Sequence, residues 1–248
     1  MMDFKKPGSS VDQKGVSMIV YGDPGVGKTS LVKTLLGWEY GKGIVHEPYA
    51  KPEEIFVIDV EAGDLVLADG GKRMVTTYQV RENLENFRKM VQYLVEEKHA
   101  FKYVFIDNMS ELEKYFLVTL TESKTLQTPR QKEWGDTSYY MRKNIRDLRN
   151  LVWKGVNVIF NFWAMMLPVE DREGKITSYE APMVMRSTTM EYVGLVDHTA
   201  YMGIDKEGKR FLQFDSNQRI KCKSRSDNLD QFERANLAEI FRKIKGGK

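Results

Sequence analysis

Ser17-Met18-Ile19-Val20-Tyr21 is a continuous apolar run that stops at a glycine-rich turn. Leu31, Val32, Leu35 and Leu36 then recur at helical spacing, and Gly37, Gly41 and Gly43 end that pattern. A strand, a glycine loop and a helix are therefore predicted in that order. Ile55-Phe56-Val57-Ile58-Asp59-Val60 reads as a second buried strand, and Arg73 to Val80 as a further short one. From Glu82 to Lys98 the spacing predicts a helix with Leu84, Phe87, Val91, Leu94 and Val95 on one face. Tyr103-Val104-Phe105-Ile106-Asp107 again runs apolar into an acid. Ser110 and Glu113 have the spacing of a capping box, which opens a helix reaching about Leu120. Tyr139 to Val152 is predicted helical, with Met141, Ile145, Leu148 and Val152 inward and Arg142, Lys143, Arg146 and Arg149 on the other face. Val156 to Phe162 follows as a strand.

Ala164 to Glu191 has no clear period and carries five methionines. A connection of that length inside a domain is usually functional or disordered. Thr199 to Ile204, Arg210 to Phe214 and Arg219 to Lys223 read as strands, with a hairpin turn at Asp205-Lys206-Glu207-Gly208-Lys209. Leu229, Phe232, Ile240 and Phe241 suggest a closing helix. Strands alternating with helices imply βαβ units, and strands without polar alternation imply a sheet covered on both faces. The expectation is one α/β domain over 17–245, a mostly parallel sheet flanked by helices with an antiparallel hairpin near the C-terminus. Residues 1–16 are expected to form a flexible arm.

Composition narrows the class. Hydrophobic residues make up 42% of 248 positions, enough for a core and too many for a disordered chain. No apolar run reaches the roughly 18 residues of a membrane helix, and the first residues hold no signal-peptide core. The one cysteine, Cys222, excludes an internal disulfide framework and a cysteine zinc site. The three histidines lack ligand spacing. A cytoplasmic location is expected, with no membrane partner. A net charge of +3 permits nucleic-acid binding without arguing for it.

The chemistry starts at Gly22-Asp23-Pro24-Gly25-Val26-Gly27-Lys28-Thr29, a full match to G-x-x-x-x-G-K-[ST] between a strand and an amphipathic helix. Glycines let backbone N–H groups turn inward around a phosphate, and the helix N-terminus adds partial positive charge. This loop together with Ser30 is the candidate ATP cradle. Lys28 would reach the terminal phosphates and the Thr29 hydroxyl would ligate Mg²⁺. Asp107, at the end of its strand, is the candidate second magnesium residue, and a helix cap is the alternative use for that acid. No Glu follows Asp107, since Asn108 stands there. Glu61, just past the strand ending at Asp59, is the candidate that orients or deprotonates water.

This layout resembles the RecA-like P-loop ATPases, in which a catalytic Glu follows the second strand much as in Ile58-Asp59-Val60-Glu61-Ala62. Over about 16–228 it further resembles the phage Sak-type group of single-strand annealing and recombination proteins. The matching pieces include Glu133-Trp134-Gly135, Asn157-Val158-Ile159-Phe160, Val193-Gly194-Leu195-Val196-Asp197 and the late segments at Arg210 and Lys221-Cys222-Lys223-Ser224-Arg225. The resemblance implies a RecA-like core and a Mg-ATP-dependent ATPase that forms a homo-oligomeric ring or filament. It also implies single-stranded DNA as partner, in annealing or strand exchange. Lys223 and Arg225 would then reach a neighbour's γ-phosphate, and a basic surface turn is the other reading of that segment. The sequence departs from RecA where a sensing Gln is expected, since Asn161 and Phe162 stand there. DNA-facing loops would lie near 123–137, with Lys124, Arg130, Lys132 and Trp134, and in 164–191, with Arg172, Lys175 and Arg186. A small-molecule kinase and a non-hydrolysing nucleotide-binding accessory protein remain the alternatives.

Overall fold

All six positions of strand β1 (Ser17–Gly22) are buried. Ile19 and Tyr21 join one hydrophobic core, and Met18 and Val20 join the other. Opposite faces of one strand thus feed two cores, which is why its sequence shows no polar alternation. The computed structural model describes residues 14–80, 84–121, 128–170 and 176–246. Residues 1–13 of the expected arm at 1–16, the predicted helix start at Glu82 and the loop cations Lys124, Arg172 and Lys175 lie outside the described residues.

The other strands of its sheet are β2 (Ile55–Asp59), β3 (Thr76–Gln79), β4 (Tyr103–Asp107), β5 (Asn157–Glu170), β6 (Ile176–Pro182), β7 (His198–Ile204), β8 (Arg210–Gln213) and β9 (Phe232–Arg234). They form a nine-stranded sheet in the order β9-β8-β7-β1-β5-β4-β2-β3, with β6 paired to β5. The centre from β7 to β3 is parallel, while β7–β8–β9 and β5–β6 are antiparallel. The expected sheet with antiparallel strands at its C-terminal end is therefore present, and the turn at 205–209 joins β7 to β8.

Helices α1 (Leu84–Glu96), α2 (Met109–Leu120), α3 (Gln131–Arg149) and α4 (Arg186–Leu195) contribute to the core on one face. The tight 3-10 helix Thr29–Leu36 and α5 (Leu237–Ile244) cover the other. That 3-10 helix ends at Gly37, which has φ 79°. A Cβ there would fall 2.0 Å from the His46 carbonyl oxygen, so glycine is required. No described helix is long and apolar enough to cross a membrane.

Several expectations need correction. Phe232 lies in β9, and the closing helix is α5, which carries Ile240 and Phe241 but neither Leu229 nor Phe232. The cap of α2 is Asn108, whose Oδ1 accepts from Glu111 N at 2.8 Å. Ser110 and Glu113 instead point out of the helix and tie down a distant turn: Ser110 Oγ donates to the Met183 carbonyl at 2.6 Å, and Glu113 accepts from Met185 N at 2.9 and 3.1 Å. Residues 219–223 form single bridges at Ile220 and Lys223 and no strand. There the Asn217 side chain accepts from Arg219 N and Ile220 N, each at 2.8 Å, and curls the chain. The aperiodic stretch from Ala164 is the β5–β6 hairpin followed by α4. Met166, Val169 and Ile176 on the hairpin are exposed while Leu167, Ala181 and Pro182 are buried, so the buried face is too short to impose a period. Helix α3 starts at Gln131, with Glu133 reaching back to Arg130 N at 2.6 Å.

Gly15 N donates to the Val152 carbonyl at 2.9 Å and Val16 N to Asn157 Oδ1 at 3.1 Å, so the chain is already anchored two residues before β1. At the same edge Asp197 Oδ2 accepts from Ser17 N at 3.0 Å and Ser17 Oγ at 2.7 Å. These contacts fix the start of β1 and hence the position of the loop at its other end.

Candidate functional site

Gly22 to Ser30 lie at the C-terminal edge of the parallel strands, where ligands of open α/β sheets gather. Strand pairing brings the acids to the same edge. Asp59 is in register with Asp107, and Val60 N donates to the Asp107 carbonyl at 2.7 Å. Glu61 follows directly and Ala62 takes φ 57°. That left-handed conformation costs about 1–2 kcal/mol for a residue with a Cβ. The Asp59 carboxylate secures the turn by accepting from Gly63 N at 3.1 Å.

Inside the crevice Lys28 folds back. Its Nζ donates to the carbonyls of Gly22 at 2.8 Å and Asp23 at 2.9 Å. Burial pulls the ammonium below its ordinary pKa, while Asp107, Glu61 and Asp23 oppose the shift. Thr29 Oγ1 donates to Asp107 Oδ2. Asn161 Nδ2 donates to Asp107 Oδ1 at 3.2 Å, and the buried Asn161 Oδ1 has no partner. Burial raises Asp107, against the hydrogen bonds from Thr29 and Asn161 and the charge of Lys28.

Much of the Glu61 side chain is open to solvent, yet its carboxyl is pushed up to about 7. Partial desolvation is the largest cause, followed by repulsion from Asp107; Lys28 opposes both, and Glu111 and Asp59 add further repulsion. The crevice therefore joins a cation turned onto its own backbone to a surplus of carboxylates. A bound phosphate and a bound divalent cation would relieve these two conditions respectively.

Sequence reasoning placed Lys28, Thr29, Asp107 and Glu61 together, and the geometry groups them. It does not bring Lys223 and Arg225 there. Lys223 Nζ donates to the carbonyls of Gly194 at 2.8 Å, Val196 at 2.7 Å and Val193 at 3.2 Å, closing the end of α4. Arg225 pairs with Asp197 Oδ1 at 3.0 Å. Asp197 sits at the start of β1, five residues of strand or roughly 17 Å from the loop. Of the expected DNA-facing groups, Arg130 is paired with Glu133, Trp134 is exposed and Arg186 donates to the Pro168 carbonyl at 2.7 Å.

Two residues at the loop were not assigned from sequence. Tyr40 Oη donates to the Gly27 carbonyl at 2.8 Å and Arg210 Nε to the Val26 carbonyl at 2.8 Å. Arg210 lies 184 positions from Val26, so no local spacing could signal the contact. Trp163 pairs with Gly22 in the sheet, and the Lys114 ammonium stands 4.1 Å over its ring.

The sequence model of the AAA domain family, AAA_24, matches residues 14–226. No curated protein matches the chain. Among solved structures, a crystal structure of the RadB recombinase is similar with a TM-score of 0.46 and 12% identity, covering 81% of this chain and 80% of that one.

Proposed function

The chain belongs to the AAA domain family, and from that premise we propose that it binds ATP with Mg²⁺ at Gly22 to Ser30, hydrolyses it, and assembles on single-stranded DNA as a recombination protein of phage type. The observation that carries this reading is the convergence of Lys28, Thr29, Asp107 and Glu61 at one strand edge.

The donor set fits magnesium. Thr29 Oγ1 and Asp107 supply protein oxygens, and among the described residues no three His, Cys, Asp or Glu side chains converge as a cage. Mg²⁺ characteristically takes one or two protein ligands and completes its octahedron with phosphate and water. When bound, it would neutralise charge on the phosphates. Lys28 binds the terminal phosphates after releasing the Gly22 and Asp23 carbonyls. Glu61 holds and deprotonates the attacking water, and a carboxyl near 7 suits a base at neutral pH. Asn161 touches Asp107 and so is placed to sense the occupied crevice.

DNA binding is supported by two features. Trp134 and Lys132 are both exposed in the first turn of α3. The β5–β6 hairpin continues seven residues past Trp163, extending β5 beyond its pairing with β1 and the phosphate loop. Basic and aromatic groups of this kind neutralise phosphates and stack bases. Lys223 and Arg225 reach a nucleotide only on another subunit, and only by exchanging their present partners.

The test is the ATPase rate against protein concentration, with and without single-stranded DNA. The rate per subunit should rise with both, release inorganic phosphate, and accompany DNA binding that weakens as salt rises. A flat rate with no DNA affinity at about 50 mM salt, or phosphate transferred to a small molecule, would contradict the reading.

A further inference from the structure

The phosphate loop is gripped from outside by two side chains remote in sequence. Arg210 Nε holds the Val26 carbonyl and Tyr40 Oη holds the Gly27 carbonyl, each at 2.8 Å. The Arg210 guanidinium lies 4.6 Å over the Tyr40 ring, so the two groups also brace each other. Trp38 backs the Tyr40 ring edge-on at 4.8 Å. Between them Gly27 has φ 107°. A Cβ there would lie 2.9 Å from Arg210 Nε and 3.0 Å from Tyr40 Cε1. The grip closes on bare backbone.

Peptide geometry turns this grip into a statement about phosphate binding. A trans peptide unit is planar, with its C=O and the following N–H pointing opposite ways. Fixing the Val26 carbonyl outward aims the Gly27 N–H toward the other side of the loop. Fixing the Gly27 carbonyl does the same for the Lys28 N–H. The Gly27 carbonyl also accepts from Leu31 N at 3.0 Å, so Tyr40 anchors the peptide that starts the following helix. Inward N–H groups at a helix start are what an anion requires. Among the described residues no carboxylate pairs with Arg210, so its charge adds to the field at the loop.

We propose that Tyr40 and Arg210 are positioning residues for the bound triphosphate, acting through the Val26 and Gly27 carbonyls to pre-set the loop's donors. The proposal rests on the nucleotide reading above. On its outer side the pair borders a cleft of about 700 Å³ that includes Trp38, Lys42, Lys209 and Arg234. Lys42 and Arg234 are paired with Glu39 and Lys209 with Glu207. The cleft's other cations are thus engaged, and the pair's action is directed at the loop.

The experiment compares Tyr40→Phe, Arg210→Met, Arg210→Lys and Lys28→Ala with the unchanged full chain. Affinities for ATP and for inorganic tripolyphosphate are measured by calorimetry with magnesium, and ligand-free melting temperatures are recorded. Tyr40→Phe should weaken both ligands about fivefold, and Arg210→Met about tenfold or more. Arg210→Lys should recover part of the loss, and the ligand-free melting temperature of Tyr40→Phe should fall by no more than about 4 °C. Unchanged affinities, or weaker ATP with tripolyphosphate untouched, would overturn the proposal; the second result would make the pair a base contact. Where Arg210→Met lowers the melting point, Tyr40→Phe carries the test, since it removes a single oxygen. Lys28→Ala separates the levels: if it still binds ATP the nucleotide reading fails, and if it alone loses binding only the positioning role fails.

Discussion

Thr29 and Asp107 are hydrogen-bonded across the crevice although 78 positions separate them. The bond joins the residue that opens the phosphate-loop helix to the last residue of β4. It gives a buried carboxylate a partner at the place where the proposed cation would sit. Burial raises Asp107, so the ligand-free fold carries it at a cost.

Asp107→Asn should therefore leave the ligand-free protein as stable as before or slightly more so. The same variant should lose at least tenfold in Mg-ATP affinity, because a carboxylate ligand has gone. Thermal melting with and without Mg-ATP checks both. An unchanged Mg-ATP shift would remove Asp107 from the magnesium site.

Glu61→Gln keeps the shape of the side chain and removes the base. Turnover should fall by about 10²-fold or more while ATP affinity changes little. Single-turnover hydrolysis beside equilibrium binding makes the comparison, and full turnover in the variant would sink the assigned role.

Lys223 holds three carbonyls at the end of α4, so Lys223→Ala should cost about 1–2 kcal/mol. A loss of that size lowers the melting point by several degrees in a domain of this length. Below the new melting point, turnover should stay within about twofold by this structural account. An unmoved melting point with a hundredfold turnover loss, rescued on mixing with Lys28→Ala subunits, would instead establish a role in trans.

Glu113 predicts a pH dependence. Burial lifts its carboxyl to about 7, against the hydrogen bonds from Met185 N. In the unfolded chain the group titrates near 4.5. Between those values the folded protein keeps a proton that the unfolded chain has released, so this group's contribution falls as pH rises through the window and is level above it. Glu113→Gln lacks that dependence. Its stability relative to the unchanged protein should climb between about pH 5 and about pH 7.5, by on the order of 3 kcal/mol. Urea unfolding across that range checks it, and a constant difference would contradict the protonation argument.

The readable parts of the sequence were those set by short-range rules. The runs at β1, β2 and β4 are apolar on both faces because both faces are covered, and the spacing around Lys28 and Thr29 carries its own chemistry. Asp107 and Glu61 were legible as strand-end acids, since parallel strands in one sheet end at one edge. Long-range pairings left no such trace. Ser110 and Glu113 obey capping-box spacing, yet Asn108 takes the cap and frees them for Met183 and Met185. The β5–β6 hairpin was hidden because its arms bury too few positions to need alternation. Tyr40 and Arg210 stand in segments whose local pattern says nothing of the loop they hold.

The most direct measurement is a crystal structure of the protein with magnesium and a non-hydrolysable ATP analogue. The account predicts that Lys28 leaves the Gly22 and Asp23 carbonyls for phosphate oxygens, that Thr29 and Asp107 separate around the cation, and that Glu61 faces the terminal phosphate. Lys28 still folded onto its own backbone, with the analogue bound elsewhere, would contradict it.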